Sequence, residues 1–157
     1  MKKIALPLLL ASILSACNPV LERPKLTKSP LELQAIQSKE FDASKKQVFG
    51  AVLTVFQDNG YMITSAGMDT GLIVAKSPGV QEGNPIRSFI YREQRATAYI
   101  DEILSGRTKV RINFVTFERL TANYRVQEHD VPIEDPQIYQ DTFKNIQQAI
   151  FMRKNVN

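Results

Sequence analysis

The alternation Lys109-Val110-Arg111-Ile112-Asn113-Phe114 constrains this chain more than any other segment. Successive side chains of a strand point to opposite faces, so Val110, Ile112 and Phe114 share one face and Lys109, Arg111 and Asn113 the other. Such a strand belongs in a sheet with one face on a core and one in water. Upstream, Ala96, Ala98 and Ile100 alternate with Thr97, Tyr99 and Asp101 in the same way. If Gln94 to Ile103 and Arg107 to Phe117 form a hairpin, like faces meet only across a loop with an odd number of residues. Leu104-Ser105-Gly106 satisfies this, with Gly106 in the left-handed last position. The resulting register sets Ile100 opposite Val110 inside. Asp101 then faces Lys109, and Tyr99 faces Arg111, on the outer side.

The remaining elements follow from periodicity. Leu33 to Phe41 reads as a first extended segment. Asp42 or Ser44 caps a helix in which Val48, Val52, Val55 and Phe56 recur at three- and four-residue steps, and Asn59-Gly60 ends it. Tyr61 to Ser65 and Leu72 to Ser77 read as strands joined by Met68-Asp69-Thr70-Gly71. Pro78 to Arg92 contains Pro78, Gly79, Gly83, Asn84 and Pro85 and reads as a long surface loop. Thr121 to Gln127 is a further strand, and His129 to Glu134 a polar connection. Asp135 caps a last helix with Pro136 in its first turn, carrying the stripe Tyr139, Phe143, Ile146 and Ile150. Strands do not alternate with crossover helices. The fold class expected is α+β: an antiparallel sheet of about five to six strands with two helices on one face, in the order β-α-β-β-β-β-β-α.

The N-terminus reads as an address. Met1-Lys2-Lys3 is a basic start, and Ile4 to Ile13 is apolar apart from Pro7 and Ser12. This apolar run is about 10 residues, short of the ~20 that a membrane-spanning helix needs. It fits a secretory signal. Leu14-Ser15-Ala16-Cys17 resembles the lipobox of bacterial lipoproteins. That resemblance implies cleavage before Cys17, a thioether-linked diacylglycerol on its sulfur and a further acyl chain on the new amine. Several acyl chains hold a protein on a membrane where a single chain gives only marginal binding. Asn18 rather than Asp after the cysteine implies, by the enteric sorting rule, the periplasmic face of the outer membrane. Residues 1–16 are then the signal peptide and 17–31 the anchor and an extended tether, rich in Pro19, Pro24 and Pro30. Residues 32–157 form a single periplasmic α+β domain.

Composition narrows the chemistry. The net charge of +4 falls to +2 once Lys2 and Lys3 are removed, too little to call for a nucleic acid. Arg87, Arg92, Arg95, Arg107, Lys109, Arg111, Arg119 and Arg125 read as the polar face of a half-exposed sheet. One cysteine, expected to be acylated, leaves neither a disulfide nor a thiol nucleophile. The one histidine, His129, reads as a solvated surface residue and has no second histidine for a common zinc site. Asp101 and Glu102 are adjacent on a strand and point apart, so they do not form a catalytic pair. Neither a phosphate-binding loop nor a nucleophile motif is present. No enzyme activity, no metal and no cofactor beyond the lipid on Cys17 are expected.

Val52 through Gln57-Asp58-Asn59-Gly60-Tyr61, Gly71-Leu72-Ile73-Val74-Ala75-Lys76, and Asp135-Pro136-Gln137-Ile138-Tyr139 with Phe143 carry a second likeness. In plan this region resembles helix-grip-like envelope lipoproteins, such as the repeats in the C subunit of the β-barrel assembly machinery. The resemblance implies a non-catalytic interaction or assembly module of an envelope or secretion complex, with other envelope proteins and the membrane as partners. The expected contacts are Tyr99, Arg111 and Asn113 on the outer sheet face, and Phe89, Ile90 and Tyr91 in the loop. The alternative is a carrier of a lipid or other apolar ligand, with Phe114, Phe117, Phe143 and Ile146 lining a cavity between sheet and last helix.

Overall fold

The structure is a computed structural model that describes residues 26–84 and 88–155. The signal segment, Leu14-Ser15-Ala16-Cys17 and the tether up to residue 25 lie outside the described residues.

Two long strands form the spine of a seven-stranded antiparallel sheet: β5 (Ser88–Leu104) and β6 (Arg107–Ala122). Their register is the one that parity requires, with Ile100 opposite Val110, Asp101 opposite Lys109 and Tyr99 opposite Arg111. The odd residue is placed differently. Leu104 pairs with Arg107 across the tight turn Ser105-Gly106, and a bulge at Ile103 restores the parity. Each long strand is flanked by two short strands laid end to end. β3 (Leu72–Lys76) and β4 (Val80–Asn84) run along β5, while β1 (Ser38–Phe41) and β7 (Arg125–Pro132) run along β6. β2 (Met62–Gly67) closes the outer edge beyond β3.

Three segments depart from the sequence reading. Pro78 to Arg92 is not a loop, because Val80–Asn84 pairs with Ser88–Arg92. Gly83 reads as a loop residue, yet it sits inside β4 at φ 109°, where a Cβ would come within 2.7 Å of the Ser88 carbonyl oxygen. Here glycine admits a close backbone approach instead of ending a strand. Thr121 to Gln127 is not one strand but the end of β6, a turn at Asn123 and Tyr124 with φ 49° and 62°, and the start of β7. Two consecutive left-handed residues make a hairpin turn whose twist matches the flanking strands. Leu33 to Phe41 is not wholly extended. Helix α1 (Pro30–Ile36) precedes β1, held by a capping box in which the Ser29 side chain accepts from the Glu32 N–H and Glu32 accepts from the Ser29 N–H. A third helix therefore stands before the expected order.

Helices α2 (Lys45–Asp58) and α3 (Pro136–Asn155) cover one face of the sheet. Ser44, not Asp42, caps α2, in a second box with Gln47. Asp135 accepts from the Gln137 N–H at 2.9 Å at the start of α3. Val48, Val52, Val55 and Phe56 of α2 and Tyr139, Phe143, Ile146 and Ile150 of α3 are buried with Ile73, Ala75, Ala96, Ala98, Ile100, Val110, Ile112 and Phe114 of the sheet. The alanines of β3 and β5 leave room for α2 to lie close. The aromatic rings knit the layers: Phe114 stands 6.2 Å from Phe56 and 5.4 Å from Tyr139, in tilted geometry.

Candidate functional site

Parity assigns the other sheet face residue by residue. One row across the strands reads Leu72, Tyr99, Arg111, Ser38, and the next reads Asp101, Lys109, Glu40. Both rows lie opposite the side buried by α2 and α3. Tyr99 is 51% exposed and Leu72 is also exposed. Gln34 of α1, Ser38, Tyr99, Asp101, Lys109 and Arg111 line a shallow groove. Asp101 and Lys109 face each other without closing an ion pair, and Arg111 makes neither an ion pair nor a side-chain hydrogen bond among the described residues. Arg107 bonds Glu40 at 3.0 Å at the groove's end.

Asn113 lies on the same face but is engaged, since it accepts a 3.2 Å hydrogen bond from the Gln37 side chain at the α1–β1 junction. Its role is to hold that junction. Phe89 and Tyr91 prove to be strand residues, and parity puts them on this same outward face, further along β5. Ile90, between them, points to the opposite face and does not belong with the other five.

Around Tyr91 the face is internally satisfied. Glu93 is only 7% exposed despite lying on the outer side. Its carboxylate accepts from the Tyr91 hydroxyl at 2.9 Å and from Arg95 Nε at 2.9 Å, with Lys76 Nζ at 4.0 Å. Burial pushes its pKa up, but the hydrogen bonds from Arg95 and Tyr91 and the charges of Arg95 and Lys76 outweigh this and hold it below the ordinary value. The same hydrogen bond to Glu93, followed by burial, raises the Tyr91 phenol. Arg95 lies over the Phe117 ring with its guanidinium carbon 3.8 Å from the centroid, and Tyr91 meets that ring edge-on at 6.4 Å. Arg119 bonds Glu128 at 2.5 Å. On the opposite face Arg92 bridges Glu118 at 2.7 Å and Glu82 at 2.6 Å. Among the described residues of the basic cluster, Arg92, Arg95, Arg107 and Arg119 are thus paired, whereas Lys109, Arg111 and Arg125 are not; Arg87 lies outside the described residues.

His129 is corrected from a solvated residue to a half-buried one. It sits in β7 with its side chain 16% exposed, and Nε2 is 4.0 Å from Glu118 Oε2. No cluster of three or more His, Cys, Asp or Glu side chains suited to a metal occurs among the described residues. Of the residues set to line a ligand cavity, Phe114, Phe143 and Ile146 pack into the common core. Phe117 is three residues from Phe114 and therefore faces the outer side, beneath Arg95. The groove residues that the sequence did not reveal are Gln34 and Ser38. The capping box Ser29-Pro30-Leu31-Glu32 was the available signal for α1.

No protein-family model and no curated protein matches the chain. Among solved structures, a DUF4468 family protein from Bacteroides ovatus is similar at 11% identity and a TM-score of 0.40, over 72% of this chain and 84% of that one. The adenylate sensor from AMP-activated protein kinase, in complex with 5-aminoimidazole-4-carboxamide ribofuranotide, is similar at 13% identity and a TM-score of 0.35, over 72% of this chain and 94% of that one. Neither likeness bears on the chemistry of the groove.

Proposed function

We propose that this chain is a lipid-anchored envelope protein whose domain is a non-catalytic docking module, with the outward sheet face as its contact surface. The observation that carries the reading is the pairing of half-exposed Tyr99 with unpartnered Arg111 on a face that α2 and α3 leave free. Tyrosine and arginine are the residue types that dominate binding energy at protein interfaces. The anchor reading rests on Leu14-Ser15-Ala16-Cys17.

The chain just before α1 is held to the domain by one carboxylate. The Thr27 N–H and hydroxyl and the Lys28 N–H all donate to the Glu134 carboxylate, just before α3. The first described residues are thus tied to the start of α3.

Two measurements test the proposal. Mass spectrometry of the mature N-terminus is expected to find acylated Cys17, and Cys17→Ser to leave an unprocessed precursor. An unmodified N-terminus would refute the anchor. Crosslinking of intact envelopes is expected to join the domain to a defined protein at stoichiometric yield, lost with Tyr99→Ala. Unchanged crosslinking in that variant would refute the surface.

A further inference from the structure

The groove on the outward face has a polarity that names its partner's chemistry. Arg111 lies between Tyr99 on β5 and Ser38 on β1, two neutral hydroxyl side chains. The guanidinium is charged at any physiological pH and presents its N–H donors in a planar fork. The Ser38 hydroxyl is buried and has no hydrogen-bond partner among the described residues. In the next row Lys109 has acidic cross-strand neighbours, Asp101 and Glu40, although it closes no ion pair with either and Glu40 is taken by Arg107 at 3.0 Å. Arg111 is thus the groove cation that faces no carboxylate across the strands.

We propose that this groove seats a glutamate or aspartate side chain of a partner protein. Its carboxylate accepts from the Arg111 fork, while its stem packs on the Tyr99 ring beside Leu72. Asp101, at the far end, repels a second acid and accepts a lysine or arginine. The matching segment thus carries one acidic and one basic residue. A phospholipid surface fits worse, because its many phosphates would meet Asp101 and Glu40 as well as Arg111. This inference rests on the docking-face reading and specifies what that face recognises.

The test uses the full-length chain in detergent micelles, titrated with two blocked peptides and followed by nitrogen-15 NMR. One peptide carries a glutamate and a lysine; the other has glutamine in place of the glutamate. The expected result is saturable shifts at Ser38, Tyr99 and the Arg111 side chain, with about tenfold weaker binding of the glutamine peptide, the size of one charge-assisted hydrogen bond. Arg111→Gln is expected to erase that difference, and since Arg111 is exposed and unpartnered its thermal midpoint stays near wild type. Equal binding of both peptides overturns carboxylate recognition while leaving the docking face in place. Absence of saturable shifts with either peptide, or Arg111-dependent binding to phosphatidylglycerol vesicles that exceeds peptide binding, also overturns the proposal. Loss of envelope crosslinking in Tyr99→Ala reports separately on the docking face.

Discussion

The Tyr139 hydroxyl donates a 2.8 Å hydrogen bond to the Ile133 carbonyl oxygen from a side chain that is fully buried. The phenol oxygen of Tyr139 in turn accepts from the Phe114 N–H at 3.4 Å and the Gln37 side chain at 3.5 Å. This fills a break in the sheet. β1 pairs with β6 up to Arg111, and the pairing of β6 with β7 begins at Val115. In the gap, the Ile112 N–H donates to the Gln37 carbonyl, the Ile133 N–H to the Phe114 carbonyl, and the Phe114 N–H is left to the phenol. Tyr139→Phe keeps the ring and orphans those groups. The expected loss is about 1–3 kcal/mol, read as a lower urea midpoint with an unchanged m-value.

The carboxylate of Glu93 makes stability depend on acid. Its folded pKa lies below the ordinary glutamate value of 4.5. Its contribution is therefore complete above that value and is lost as pH falls through the folded value. Glu93→Gln is expected to be less stable than wild type at pH 7, and the two proteins to converge as pH falls below 4.5 and through the folded value. A difference that stayed constant from pH 7 to pH 3 would assign the loss to packing instead.

Gly71 and Gly106 share a left-handed backbone, at φ 72° and 75°, but not an environment. A Cβ on Gly71 would stand 2.1 Å from the Ile100 carbonyl oxygen, whereas one on Gly106 meets nothing within 4 Å. Gly106→Ala is expected to cost about 1 kcal/mol, the conformational share alone. Gly71→Ala is expected to cost at least twice that, since backbone must move and the Ile100 N–H to Gly71 carbonyl bond of 2.8 Å goes with it. Paired denaturation curves decide it, and equal losses would refute the steric argument.

Tyr124 occupies a left-handed turn position at φ 62° with a side chain 108% exposed. The ring gains nothing from folding, and the backbone carries strain that glycine avoids. Tyr124→Gly is expected to stabilise the protein by about 0.5–1 kcal/mol, seen as a raised thermal midpoint.

Glu134 ties the tether to the domain through Thr27 and Lys28, and those hydrogen bonds lower its pKa, the Thr27 hydroxyl foremost. Glu134→Ala is expected to speed hydrogen exchange at the Thr27 and Lys28 amides while leaving the α3 amides protected. Slowed or unchanged exchange at Thr27 would show that the tether is held by other contacts.

Much of this architecture is written in local chemistry. The parity of Lys109 to Phe114 against Ala96 to Ile100 determined one hairpin register, because a one-residue slip would bury Arg111 and expose Ile112. The stripes Val48 to Phe56 and Tyr139 to Ile150 determined two helices and the face they bury, because helical spacing aligns those side chains. Tyr99 and Arg111 were placed on the outer face by the same parity. Tertiary structure alone decided the rest. Gly83 and Asn84 carry turn chemistry, yet they form a strand because β5 is long enough to offer Ser88 to Arg92 as partners. Phe89 and Tyr91 thereby joined the outer face while Ile90 left it. Ser38 came beside Arg111 through pairing of residues 73 positions apart in sequence, a contact of β1 with β6 that no local pattern specifies. Side-chain periodicity is a property of neighbouring residues, whereas which strand edges meet depends on the free energy of the whole packed sheet.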